Sequence, residues 1–236
     1  MSRVFAANAD TTTPHDLVAA SQRLLHAVHH GNRTDDLFTS LARLDESVLA
    51  VLGDDDRAAK AFWLNIHGAL AADAADAGRR VAGMRLDPET VYHGILRGGK
   101  WRYGFGYLQN PFQGRFGQRH ALDDLDERIH FAVLAAQYAP QLSGTYTATD
   151  VNAELTEVTA DYLDGTVEYD ASVDVAHIPA VFFWHRGDFD GRSGVRAFLV
   201  THGALPTAAD PRFSYAHPDP DLETSTESRP RRERTQ

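Results

Sequence analysis

The chain contains no cysteine in its 236 residues. That absence excludes disulfides, thiolate zinc sites, iron–sulfur clusters and a cysteine nucleophile. Lysine is scarce as well: Lys60 and Lys100 stand alone, and the remaining basic residues are arginine. Long apolar runs are also missing. The longest, around Phe131–Ala136, falls far short of the ~20 residues that cross a bilayer, so no transmembrane helix and no membrane partner are expected. Met1–Thr13 carries no apolar stretch after Arg3, so no secretory signal is expected and a cytoplasmic location follows. Finally, basic clusters are few. With 33 acidic against 23 basic residues the net charge is −10, a field that opposes the phosphate contacts of nucleic-acid binding.

What remains is ample core material. The hydrophobic fraction is 43%, with 12 Phe, 8 Tyr and 3 Trp, which excludes wholesale disorder. The expectation is one globular domain over 1–205. From about 206 to 236 the composition turns to Pro, Asp, Ser, Thr, Glu and Arg, and a disordered tail is expected there. Aspartate-rich, lysine-poor surfaces hold water and hydrated cations, and strong salt screens the self-repulsion of a large net charge. A salt-rich cytoplasm, as in haloarchaea, is therefore the expected setting, with an ordinary acidic bacterial protein as the alternative.

Periodicity makes the first third helical. Thr13 caps a helix opened by Pro14, with Asp16 in its first turn, and Leu17, Ala20, Leu24, Leu25 and Val28 share one face before Gly31. A second helix is expected from Thr34 to Leu52, stopped by Gly53. A third runs from Asp54–Asp56 to about Ala77, stopped by Gly78. The N-terminal helices of 14–53 and the third helix together also offer an interaction surface over 14–77.

Further on, a short helix is expected from Glu89 to Arg97, broken by Gly98-Gly99. Trp101 to Gly117 interleaves glycines with aromatics and reads as a loop or hairpin packed by its rings. Gly104 and Gly106 supply half of a GxGxxG pattern, with no Gly-Lys-Ser/Thr to follow, so it is no phosphate loop. A buried stretch covers Ile129–Leu134, and a helix covers Thr147–Leu163 with Thr149 or Asp150 as its cap. Val167–Tyr169 and Val173–Val175 alternate about a turn as a hairpin. Short helices follow from Pro179 and over Val195–Thr201.

Four segments carry a resemblance. Ala61–Leu70 (AFWLNIHGAL), Tyr92–Gly98 (YHGILRG), Arg128–Ala132 with Pro140 and Tyr146-Thr147, and Val181–Trp184 with Asp188-Phe189 occur in that order. Together, over roughly Phe62 to His202, they resemble the domain of unknown function 547 family. The resemblance implies an α+β fold, here a helical N-terminal third packed on a small sheet or hairpin, with a link to papain-like and transglutaminase-like thiol enzymes. Many relatives carry two cysteines after the His-Phe-Ala motif. Here Ala135 and Ala139 stand in those places, and His67 and Gly68 replace a tyrosine and an asparagine.

The chemical consequence is direct. Thiol acyl transfer needs a thiolate beside a histidine, and alanine supplies neither lone pair nor acid proton. The expected function is a catalytically silent relative whose cleft binds a small molecule or peptide, with no cofactor. The alternative is a non-thiol hydrolase or acyl transferase with His130 as base. A third reading is an interaction module using the N-terminal helices.

The candidate binding residues are Asn65, His93, Arg97 and Ala139, the last marking the lost nucleophile. His93 and Arg97 share a helix face at i and i+4, where a guanidinium can hold a ligand anion or tie down a loop. Asn65 either lines the same cleft or caps a buried loop. His26 and His30 form another i, i+4 pair without a marked third ligand, so no metal site is assigned.

Overall fold

The computed structural model describes residues 12–73 and 78–216. Ten α-helices and five short strands make up an α+β fold in these residues: α1 (Pro14–His29), α2 (Asp35–Ala42), α3 (Glu46–Leu49), α4 (Asp56–Ala72), β1 (Arg79–Val81), β2 (Met84–Leu86), α5 (Pro88–Val91), α6 (Arg115–His120), α7 (Ile129–Tyr138), α8 (Val151–Thr166), β3 (Glu168–Asp170), β4 (Val175–Pro179), α9 (Val181–Trp184), α10 (Gly191–Thr201) and β5 (Arg212–Ala216). None of the described helices is long and apolar enough to cross a membrane.

The centre of the fold is α4. The Asp55 carboxylate accepts from the Ala58 amide at 3.0 Å and starts it. From Ala58 to Leu70 every residue is buried, so the helix is covered on all sides. The one cation in that stretch, Lys60, donates to Asp126 at 2.9 Å, as a buried ammonium requires. Around α4 pack α1, α5, α7 and α8. The α1 contact is close: a Cβ at Gly68 would lie 3.1 Å from Leu25 Cδ1. Helix α1 starts at the expected Thr13 cap, which Asp16 completes as a capping box, with Thr13 Oγ1 accepting from the Asp16 amide at 3.3 Å and Asp16 accepting from the Thr13 amide at 2.9 Å. Leu17, Leu24 and Leu25 are sealed within the main core, so α1 belongs to that core rather than hanging from it.

Several expected elements differ. The helix expected from Thr34 to Leu52 is broken into α2, α3 and a 3-10 turn at Ala50–Asp54. The break lies at Asp45, whose carboxylate accepts from the Ser47 amide at 2.9 Å and restarts the chain as a new cap. The last carbonyls of α2 are met by the β1–β2 hairpin turn, where the amides of Ala82 and Gly83 donate to Leu41 and Ala42, each at 3.0 Å. Ala82 and Gly83 both have positive φ, the turn that suits a two-residue hairpin. The third helix ends at Ala72, and its expected end at Ala77 lies outside the described residues.

The expected hairpin is present as β3 and β4, paired antiparallel with Tyr169 opposite Ala176. However, Val173 lies in its exposed turn, and the second strand extends to Pro179. The boundary placed at 206 is also displaced. Arg212–Ala216 forms β5, parallel to β4, with Ile178 opposite Tyr215. The Ala216 carbonyl then accepts from the Ala180 amide at 2.7 Å. Residues 217–236 lie outside the described residues.

Candidate functional site

The site is built where three distant segments meet. α5 does not continue as a regular helix: Tyr92–Leu96 form a single π turn, closed by the Arg97 amide donating to the Tyr92 carbonyl at 2.9 Å. Such an insertion re-aims side chains and is often found at functional sites. Here it turns Tyr92 and Arg97 inward, toward the first turn of α7, which carries His130, and the loop after α9, which carries His185 and Asp188.

Arg97 is fully buried, and Nε donates to Asp188 Oδ2 at 2.8 Å with Nη2 at 2.6 Å from the same oxygen. His130 is equally buried. Its Nε2 lies 3.1 Å from Asp188 Oδ2, and its Nδ1 lies 2.5 Å from the Tyr92 hydroxyl. A carboxylate only accepts, so Nε2 carries the ring proton and Nδ1 accepts from Tyr92 O–H. A chain of contacts therefore runs Tyr92–His130–Asp188–Arg97. Arg97 Nη1 also donates to His93 Nδ1, leaving the His93 Nε2 proton for Glu89, 3.3 Å away.

Burial controls the charges. It lowers the pKa of His130, offset only in part by Asp188. Burial lowers His93 too, and takes His67 down to about 4. His185 is lowered by burial and by the neighbouring His130, Arg97 and His93. For Asp188 burial works the other way, but His130 and Arg97 outweigh it and hold the carboxyl below its ordinary value. Burial raises Tyr92. At neutral pH the cluster therefore holds neutral imidazoles, a phenol and one Arg–Asp pair.

The aromatic–glycine segment closes over this pair. Gly106 has φ +84°, and a Cβ there would lie 2.6 Å from Asp188 Oδ1 and from its amide nitrogen. The Phe105 carbonyl accepts from the Gly187 amide at 2.8 Å. Gly106 thus serves close backbone approach.

Above the network is a cleft of about 420 Å³, whose walls include His67, Glu89, Tyr92, Gln137, Trp184 and His185. Arg97, His130 and Ala139 do not line it. A second hollow, of about 470 Å³, has Glu46, Arg119 and His120 on its wall, but Arg119 pairs with Glu46 at 2.6 Å and His120 Nε2 lies 3.2 Å from the same oxygen.

The expected site residues thus separate. His93, Arg97 and His130 converge. Asn65 does not join them: its Nδ2 donates to Ser21 Oγ at 3.1 Å and the Tyr146 carbonyl at 2.9 Å, and its Oδ1 accepts from the Tyr146 amide at 2.8 Å. It clamps a buried loop. Replacing Asn65 by alanine is expected to cost about 1–3 kcal/mol in urea unfolding, because the buried Tyr146 N–H loses its acceptor. Ala139 caps the end of α7 within the apolar core, with its carbonyl accepting from Leu142 at 2.8 Å. His30 donates from Nδ1 to the His26 carbonyl at 2.8 Å.

Tyr92, Asp188 and His185 are absent from the sequence-based set. Tyr92 sits beside His93 in one recognised motif and Asp188 in another, but nothing local indicates that they meet at His130. No curated protein and no solved structure matches the chain. A family match covers residues 54–163, from α4 through α8, and includes Tyr92, His93, Arg97 and His130 but neither His185 nor Asp188. The family whose model matches residues 54–163 is described as Protein of unknown function, DUF547.

Proposed function

We propose that this chain is a binding protein, a non-thiol relative of its family whose cleft holds a small molecule or peptide without turning it over. One observation carries this reading. His130, the retained candidate base, is wholly buried, with Asp188 and Tyr92 at its two ring nitrogens. A general base must reach the proton it removes, directly or through one water, and here the Tyr92 ring stands between His130 and the cleft. The network instead fixes the cleft floor. Its chain lacks sulfur nucleophiles altogether.

A panel of p-nitrophenyl esters, anilides and thioesters, assayed in molar KCl, tests this. The expected result is no turnover above buffer. Turnover that His130→Ala abolishes would overturn the reading.

The second reading, a hydrolase or acyl transferase, is favoured by the order Asp188–His130–Tyr92, in which a hydroxyl takes the place of a thiol. Against it, burial raises the Tyr92 pKa and withholds the phenolate. If that reading holds, Tyr92→Phe removes all turnover in the same panel.

A further inference from the structure

The aromatic–glycine segment that covers Asp188 is a small hairpin. At its base Lys100 pairs antiparallel with Gln109, the Trp101 amide donates to the Leu108 carbonyl at 2.8 Å, and the Asn110 amide donates to the Gly99 carbonyl at 2.9 Å. The sequence predicts a loop packed by its rings. Instead Tyr103, Tyr107 and Leu108 are 68%, 56% and 53% exposed, so the hairpin adds little to the core. Among the described residues one backbone hydrogen bond fastens its tip, from the Gly187 amide to the Phe105 carbonyl at 2.8 Å. Around it, Phe105 stacks on Trp184 at 5.9 Å with planes at 13°, and the Arg186 guanidinium lies 4.5 Å from the Phe105 ring centre. The Tyr107 ring lies over Gly187. Arg102 adds an exposed ion pair to Glu89 at 3.4 Å, which contributes little.

The closed position is costly at two points. Phe105 has φ +50°, in the left-handed region where a residue with a Cβ is strained. Beneath the tip, Asp188 Oδ1 is buried against Gly106 and has no hydrogen-bond partner. A buried acceptor left unpaired costs its desolvation, and water reaching it removes that cost. The ends of the hairpin are suited to movement. Gly98 and Gly99, with φ +59° and +76°, stand where it leaves the π turn, and Gly114 stands where the chain enters α6. Both ends can pivot there while the hydrogen bonds of the base stay closed.

We propose that Trp101–Leu108 is a hinged flap, which swings off Asp188 as a unit and admits water to the buried Arg97–Asp188 pair. Opening also uncovers the face of Trp184 on which Phe105 stacks, so the cleft wall has an open and a closed form. Loss of the stack opposes opening; release of the Phe105 strain and hydration of Asp188 Oδ1 favour it. The inference goes beyond the binding reading above, which concerns the cleft with the flap shut.

Native-state hydrogen exchange of the full-length chain, followed amide by amide by NMR in low urea, tests it. The Gly187 amide is expected to exchange on the order of 100-fold faster than the core amides of α4. Low urea should leave that rate unchanged, because a hinge exposes little surface. The Trp101 and Asn110 amides, bonded within the hairpin base, should exchange more slowly than Gly187. In Gly106→Ala the new Cβ would meet Asp188 at 2.6 Å and hold the flap off. The Gly187 amide should then lose its protection while α4 keeps its own, and the Trp184 indole N–H resonance should shift as Phe105 leaves it. Gly187 exchanging at the rate and urea dependence of α4 overturns the inference, since the contact then opens only on global unfolding. Gly187, Trp101 and Asn110 exchanging together also overturn it, because that is local unfolding without a hinge. So does unchanged Gly187 protection in a folded Gly106→Ala; if that variant does not fold, the wild-type rates decide alone.

Discussion

Asp188→Ala is expected to lower the unfolding free energy by about 3–5 kcal/mol, because it strands a fully buried guanidinium and removes the partner of a buried imidazole. Arg97 has no exposed surface, and both Nε and Nη2 face Asp188. In a chain of this size each kcal/mol moves the melting temperature by about 2–4 °C, so a fall of roughly 6–20 °C should follow. Asp188→Asn keeps the shape but not the charge, and should also destabilise strongly. An internal reference is Arg192–Asp210, a pair at 2.9 Å whose side chains are 54% and 66% exposed. Its removal should cost about 1 kcal/mol or less. Guanidinium unfolding with an unchanged m-value would measure all three. If Asp188→Ala costs no more than the surface pair, the network does not hold this region together.

The second large effect is acid lability. The unfolded chain takes up protons on histidine near its ordinary value of about 6.5. In the fold, burial keeps His67 neutral down to about 4, and lowers His93, His130 and His185 as well. Below about pH 6.5 the unfolded state therefore binds more protons than the folded one, and stability falls as pH falls. Each imidazole that stays neutral contributes about 1.4 kcal/mol per pH unit. His67 alone would remove about 3 kcal/mol by pH 4. The lowered carboxyl of Asp188 adds its loss at still lower pH, where it too protonates in the fold. Urea unfolding measured between pH 7.5 and 4.5 should show this slope, and His67→Gln should flatten it by about one proton. Equal stability at pH 7 and pH 5 would contradict the burial of these rings.

Both effects arise from contacts between residues far apart in the chain, and that is where reading by periodicity stops. Local signals were sufficient for α1, where Thr13, Pro14 and Asp16 determine the cap between themselves. They also served for α4 as a helix, for the burial of Ile129–Leu134, and for the pairing of His93 with Arg97 one turn on. They misled at Asp45, where continuous hydrophobic spacing concealed a cap. They misled again at Arg212–Ala216, where neighbouring prolines and aspartates masked a strand that exists only because β4 offers it a partner.

The candidate site divides along the same line. Composition alone removed thiol chemistry, because no fold can place a sulfur that the chain does not contain. Spacing marked His93 and Arg97 as a pair on one helix face, and the apolar run around it marked His130 as a buried polar group. That Asp188, 91 residues from Arg97, is the carboxylate that joins them was decided only by the packing of the loop after α9 against the π turn and α7. The same packing directed Asn65 to the Tyr146 backbone and left His185 and Trp184 on the cleft wall. Caps and helix faces are determined by residues within one or two turns. Which buried charge meets which is determined by the low dielectric of the assembled core, where every polar group must find its partner among whatever the tertiary fold brings near.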